Sequence, residues 1–191
     1  MDLPLIPADA TALVVIDLQK GITSVKSVPR EPSEVVANAA RLAEAFRSRS
    51  LPVFLVRVTP SPDRRDALHP AADLVLNPPT MAGPEWSELV PEMQRRDSDF
   101  VITKRQWGAF YGTELDLQLR RRHISTIVLC GISTDIGVES TARDAFERGY
   151  QLVFAEDGMA SRSLDGHKHA IQEIFPRIGR VRSTSAILAA F

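Results

Sequence analysis

The chain has 191 residues, a length that favours one domain with a substantial core. Hydrophobic residues make up 44% and charged residues 25%, and the net charge is −1, so nothing points to nucleic acid or an anionic membrane surface as a partner. The single cysteine excludes an internal disulfide and any multi-cysteine metal site.

The opening stretch, Met1 to Ala10, is short, acidic and proline-rich. It lacks the basic and apolar regions of a signal peptide, and no apolar run approaches the roughly 18 residues of a membrane span, so a cytoplasmic protein is expected. Thr11 to Ile16 is a continuous β-branched and leucine-rich run, the pattern of a strand buried on both faces. It ends in Asp17, which fits either a reactive acid at a sheet edge or a turn former. Val35, Val36, Ala39, Leu42, Ala43 and Phe46 keep helical spacing and predict an amphipathic helix over Ser33 to Arg49, with Ser33 as its cap. Pro52 to Val58 is the second strand, with Arg57 near its end.

Order breaks down between Thr59 and Asp97, which carries Pro60, Pro62, Pro70, Pro78, Pro79, Pro84 and Pro91 with Trp86 embedded. A long proline-stiffened excursion suggests a lid, a binding loop or an oligomer contact. Trp86 to Leu89 fits a short helix, and Trp86 fits packing better than ligand stacking. Asp99 to Thr103 reads as the third strand, ending at Lys104. Thr113 then caps a helix running to about Arg122, whose terminal arginines suit the helix dipole.

Ile127 to Cys130 reads as a fourth strand, followed by the tight turn from Gly131 to Asp135 and a helix from Gly137 to Arg148. Val138, Ala142, Ala145 and Phe146 form its apolar face, Ser133, Thr134 or Asp135 can cap it, and Gly149 suits the left-handed position after it. Gln151 to Ala155 is a fifth strand, followed by an acidic turn, Glu156 to Gly158. A helix from about Leu164 to Ile174, a short strand from Gly179 to Arg182 and a terminal helix from Thr184 to Ala190 complete the chain. Strands alternating with helices predict an α/β class: a three-layer, doubly wound, six-stranded parallel sheet of Rossmann-like type, in one domain over residues 1–191.

Three strand ends carry something reactive or receptive: Asp17, Lys104, and the N–H-rich turn from Ser133 to Gly137. In a doubly wound sheet such ends converge on one crevice. The residues Val14 to Gln19, Lys104 with Gly108-Ala109-Phe110 and Thr113, and Cys130 to Asp135 running into Val138 to Ala145 together resemble the isochorismatase-like hydrolase family, over nearly the whole chain. Lys104 to Thr113 and Val138 to Arg143 resemble its YecD-type branch in particular.

Most of that family is expected to work through an Asp–Lys–Cys triad, with the cysteine at the first turn of the helix, where the dipole lowers its pKa. Here Gly137 stands at that position, so the resemblance implies a site without the nucleophile. Cys130 lies in the preceding strand among Ile127, Val128 and Leu129 and reads as an inert buried thiol. Glycine there also resembles the true isochorismatases, which cleave a vinyl ether with a general acid alone. The resemblance then assigns Asp17 as the acid, with Lys104 holding a substrate carboxylate or the developing pyruvoyl oxygen. The two roles conflict: the ammonium should lower the Asp17 pKa, and burial would have to outweigh it.

The resemblance further implies a cis peptide at Ile132-Ser133, turning the Ser133 N–H toward that of Gly137 as an oxyanion-type hole. Gln19, Arg57, Trp107, Phe110 and Tyr111 are the candidate pocket walls, the aromatics being equally compatible with core or interface packing. No metal or other cofactor is expected, since the nicotinamidase branch's histidines are missing and His167 and His169 point to different sides of a helix. A small-molecule substrate and a homo-oligomer are the implied partners. Catalysis without a covalent intermediate, and a pocket that binds a small carboxylate or amide without turning it over, both remain open at this point. A cysteine hydrolase using Cys130 ranks last.

Overall fold

The computed structural model describes residues 6–7, 9–73 and 84–191. Six parallel strands form one sheet in the order β3-β2-β1-β4-β5-β6. They are β1 (Thr11–Ile16), β2 (Val53–Val58), β3 (Phe100–Lys104), β4 (Thr126–Ile132), β5 (Gln151–Ala160) and β6 (Arg180–Arg182). Every residue of β1 and β4 is buried, as runs without alternation require when helices cover both faces of a sheet.

The covering layers follow from side-chain alternation along the strands. After the single-turn helix α1 (Lys20–Thr23), α2 (Pro32–Arg47) packs with Leu13 and Val15 of β1, as does Ile187 of the last helix, α7 (Thr184–Leu188). Val14 and Ile16 face α3 (Leu115–Arg121), α4 (Glu139–Glu147) and the segment holding Ala170 and Phe175. The chain winds away from β1 in both directions, so β2 and β4 flank it and the switch point lies at their carboxyl ends.

Several local expectations shift. Helix α2 starts at Pro32, not Ser33; Glu31 precedes it, and the Glu31 N–H donates to Glu34 Oε2 at 3.1 Å, one half of a capping box. Thr113 serves the start of α3 from outside, its hydroxyl accepting the Leu115 N–H at 3.2 Å. Phe146 leaves the apolar face of α4: it is half-exposed, while Val138, Ala142 and Ala145 are sealed. Strand β5 runs on to Ala160, through the acidic turn, because its register with β4 shifts between Leu129 and Gly131. The helix expected over Leu164 to Ile174 is α5 (Leu164–His169), a π-helical turn (Ala170–Ile174) and then α6 (Phe175–Ile178). Gly131 has φ +127°, and a Cβ there would lie 2.1 Å from the Ile16 carbonyl oxygen, so the close approach of β4 to β1 requires glycine.

A buried ion pair fixes the far edge of the sheet. Arg47, at the end of α2, donates through Nε to Asp99 Oδ1 at 3.0 Å and through Nη2 to Asp99 Oδ2 at 2.7 Å. Both side chains are almost wholly buried, and Arg47 also reaches the Met93 carbonyl, so one guanidinium joins α2, the excursion's return and the start of β3.

Candidate active site

Asp17 follows β1 with φ +54°, and its N–H still donates to the Val56 carbonyl at 3.0 Å. Lys104 ends β3, two strands away. Its side chain is 1% exposed, that of Asp17 8%, and Nζ lies 2.8 Å from Asp17 Oδ2. Lys104 Nζ also donates to the Trp107 carbonyl oxygen. Gly137 stands opposite: a Cβ there would lie 3.1 Å from Asp17 Oδ2 and 3.2 Å from Lys104 Nζ. The three residues singled out from strand ends and motif therefore meet.

The turn between β4 and α4 carries the Gly137 side of this contact. The Ile132-Ser133 peptide is cis, and Thr134–Val138 form a π-helical turn in which the Val138 N–H donates to the Ser133 carbonyl at 3.1 Å. Ser133 precedes this turn without a capping hydrogen bond from its side chain. The turn is held from behind by Thr134 Oγ1, 2.8 Å from His167 Nδ1, and by Asp135, which accepts from the Ser161 hydroxyl. Thr141 ties it to the Lys104 loop: its hydroxyl donates to the Gly137 carbonyl at 2.7 Å and accepts the Ala109 N–H at 3.1 Å.

Electrostatics resolve the conflict over Asp17. Burial pushes its carboxyl up to about 6, against the charge and hydrogen bond of Lys104, which lower it. Its Oδ1 is buried without a hydrogen-bond partner among the described residues. A buried carboxyl that titrates near neutrality can give or take a proton at cellular pH. Cys130 sits in the layer on the α2 side of the sheet, fully buried, and burial with the Asp157 charge pushes its thiol up to about 12. Among the described residues no group of three or more His, Cys, Asp or Glu side chains converges to hold a metal ion.

The expected wall residues divide. Gln19 is fully buried, and its amide is occupied by backbone: Nε2 donates to the Val58 and Trp86 carbonyls at 3.0 and 3.2 Å, and Oε1 accepts the Val58 N–H at 2.8 Å. It clamps the excursion's return onto β2, and this corrects its assignment as a pocket wall. Phe110, 3% exposed, packs against Tyr150 with ring centroids 5.9 Å apart, which makes it a core residue. Trp107 and Tyr111 are 61% and 76% exposed, on the loop whose backbone Lys104 grips. Arg57 is half-buried and donates through Nε to Thr103 Oγ1 at 3.1 Å.

Of the excursion, residues 74–83 lie outside the described residues. Its return pairs with the segment after Asp17: Lys20 N–H donates to the Glu88 carbonyl and Val90 N–H to the Leu18 carbonyl. The Trp86 ring occupies the space over Gly21, where a Cβ would lie 2.1 Å from its Cδ1. Trp86, read from sequence as a packing residue, and Arg105, given no role there, share a feature at this edge. Among the described residues, each has a buried ring or guanidinium N–H without a partner. For Arg105 the only sequence signal was its position beside Lys104.

Comparison with known proteins decides the family. The profile described as the isochorismatase domain matches residues 11–186. The chain belongs to the isochorismatase family. It is 52% identical over 183 residues to the uncharacterized isochorismatase family protein YecD of Escherichia coli O157:H7, covering 96% of this chain and 97% of that one. It is 49% identical to the uncharacterized family member YwoC of Bacillus subtilis strain 168, covering 93% and 92%. Among solved structures, an isochorismatase family protein from Burkholderia thailandensis superposes with a TM-score of 0.93 at 46% identity, over 99% of this chain and 98% of that one.

Proposed function

We propose that this family member hydrolyses a small enol ether of the isochorismate type without a covalent intermediate. Asp17 is the general acid and base, Lys104 its electrostatic partner, and the turn from Ser133 to Gly137 a cradle of amide hydrogens. The observation that carries this reading is the Asp17 carboxyl itself: buried, facing a glycine, and raised to about 6 despite an ammonium 2.8 Å away.

The chemistry balances around that carboxyl. Protonated Asp17 gives its proton to the terminal carbon of the enol ether, leaving a cation stabilised by the ether oxygen. Water adds to the cationic carbon and returns a proton to the carboxylate. The hemiketal then collapses to a keto acid and an alcohol, so one water is consumed and Asp17 is regenerated. No step needs a sulfur, and position 137 supplies none.

The test is release of pyruvate from isochorismate, followed by coupled reduction with lactate dehydrogenase. Turnover by the native protein, lost in Asp17→Asn, supports the reading. No turnover, with saturable binding of a small carboxylate or amide, would identify a ligand-binding member of the family instead.

A further inference from the structure

Lys104 Nζ is held by two acceptors, Asp17 Oδ2 at 2.8 Å and the Trp107 carbonyl oxygen. The second belongs to a loop, Gln106 to Thr113, in which Trp107 and Tyr111 are exposed while Ala109 and Phe110 are sealed. Among the described residues, the hydrogen bonds of this loop return to itself, to Lys104 or to the start of α3, with one exception. The exception is the Ala109 N–H, which donates to Thr141 Oγ1 of α4 at 3.1 Å.

The same hydroxyl donates to the Gly137 carbonyl at 2.7 Å. Its direction is fixed, because an N–H can only donate and a carbonyl can only accept. The peptide group that carries the Gly137 carbonyl also carries the Val138 N–H, which donates to the Ser133 carbonyl at 3.1 Å, so this peptide is held at both ends. From these observations we infer that Thr141 is a positioning residue: its buried hydroxyl keeps the Lys104 loop in register with the Gly137 turn, and through the Trp107 carbonyl keeps the ammonium against Asp17. The link concerns contacts within the protein; its consequence for turnover rests on the enol-ether reading of the same site.

Packing alone does not set that register. Phe110 seats the loop against Tyr150, and Gly108 lies along α4, where a Cβ would meet Ser140 at 3.7 Å. Apolar contacts of this kind are non-directional, whereas a hydrogen bond weakens steeply as its angle closes. The sign of the effect follows from the distance. At 2.8 Å the Lys104–Asp17 contact already has the length of a charge-assisted hydrogen bond, so any loosening lengthens it. Lys104 holds the Asp17 carboxyl down against burial, and a longer contact lets it rise. One added ångström at an effective dielectric of about 20 corresponds to about one pH unit.

The experiment is a carbon-13 NMR titration of the Asp17 carboxyl in the full-length protein carrying Thr141→Val, which keeps the branched shape and removes the hydroxyl. Its midpoint should rise above the native one by about half to one pH unit. Thr141→Ser, which keeps the hydroxyl, should restore it. Ala145→Gly, which weakens the same helix without touching the hydroxyl, should leave it in place. In a Lys104→Met background Thr141→Val should have no further effect, since no ammonium remains to be moved. An unmoved midpoint in Thr141→Val, a rise as large in Ala145→Gly, or the full rise in the Lys104→Met background overturns the inference. Hydrogen exchange in the native protein is a second test that needs no variant to fold. The Ala109 amide should exchange far more slowly than that of Tyr111, and equal rates would overturn the inference. Neither measurement reads turnover, so a protein that fails to hydrolyse isochorismate yet shows these shifts loses the proposed reaction and keeps the role of Thr141. Hydrolysis with an unmoved midpoint does the reverse.

Discussion

Adding one carbon at position 137 probes the contact on which the active-site account is built. In Gly137→Ala the new methyl would stand 3.0 Å from Ile16 Cγ2, 3.1 Å from Asp17 Oδ2 and 3.2 Å from Lys104 Nζ, each a few tenths of an ångström inside ordinary contact. Overpacking of a sealed site costs about 1–3 kcal/mol. Replacing glycine by alanine in a helical turn returns up to about 1 kcal/mol, so a net loss of about 1 kcal/mol is expected. For a chain of this size that is a drop of about 2–4 °C in melting temperature. Gly108→Ala is the internal control, because the nearest atoms its Cβ would meet belong to Ser140, at 3.7 Å, and should melt within about 0.5 kcal/mol of the native protein. Thermal melts of the two variants decide the matter. A Gly137→Ala protein melting at or above the native one, with Gly108→Ala falling instead, would refute the geometry.

The same geometry makes other forecasts. Gly137→Cys places a thiol beside Lys104 at a helix start, so its pKa should fall below the ordinary 8.5 or so, read from the pH dependence of iodoacetamide alkylation. The native protein should stay unalkylated while folded, because burial holds Cys130 near 12. For enol-ether hydrolysis the protonated carboxyl is the active form, so kcat/KM should be level below pH 6 and fall about tenfold per pH unit above it, unlike a reaction in which Asp17 acts as base. Asp99→Ala leaves Arg47 buried and unpaired and should cost about 3–5 kcal/mol in denaturant unfolding, against under 1 kcal/mol for the exposed Glu44–Arg96 pair.

Strands β1 to β4 were legible because each is built on an apolar run, and the ends of β1 and β3 named Asp17 and Lys104. Motif resemblance added Gly137. What stayed hidden depends on contacts distant in sequence. Nothing in the pattern around Trp86 or Gln19 announces that residues 18–20 pair with 88–90, so Gln19 looked like a wall when it is a clamp. The π-helical turns escaped because one extra residue barely disturbs the helical spacing of apolar positions. The extension of β5 escaped because Glu156-Asp157-Gly158 has turn composition, and the register shift that carries it on is set by the neighbouring strand. Arg105 differs from an ordinary exposed arginine only through Asp66, thirty-nine positions earlier.

The measurement that reaches the centre of the account is a carbon-13 NMR titration of the Asp17 carboxyl in the native protein and in Lys104→Met. Burial winning over the ammonium predicts a midpoint near 6 in the native protein and a higher one without the lysine. A midpoint near the model-peptide value of about 4 that does not move in Lys104→Met would contradict it, since Asp17 would then be a solvated carboxylate with no lysine at its side.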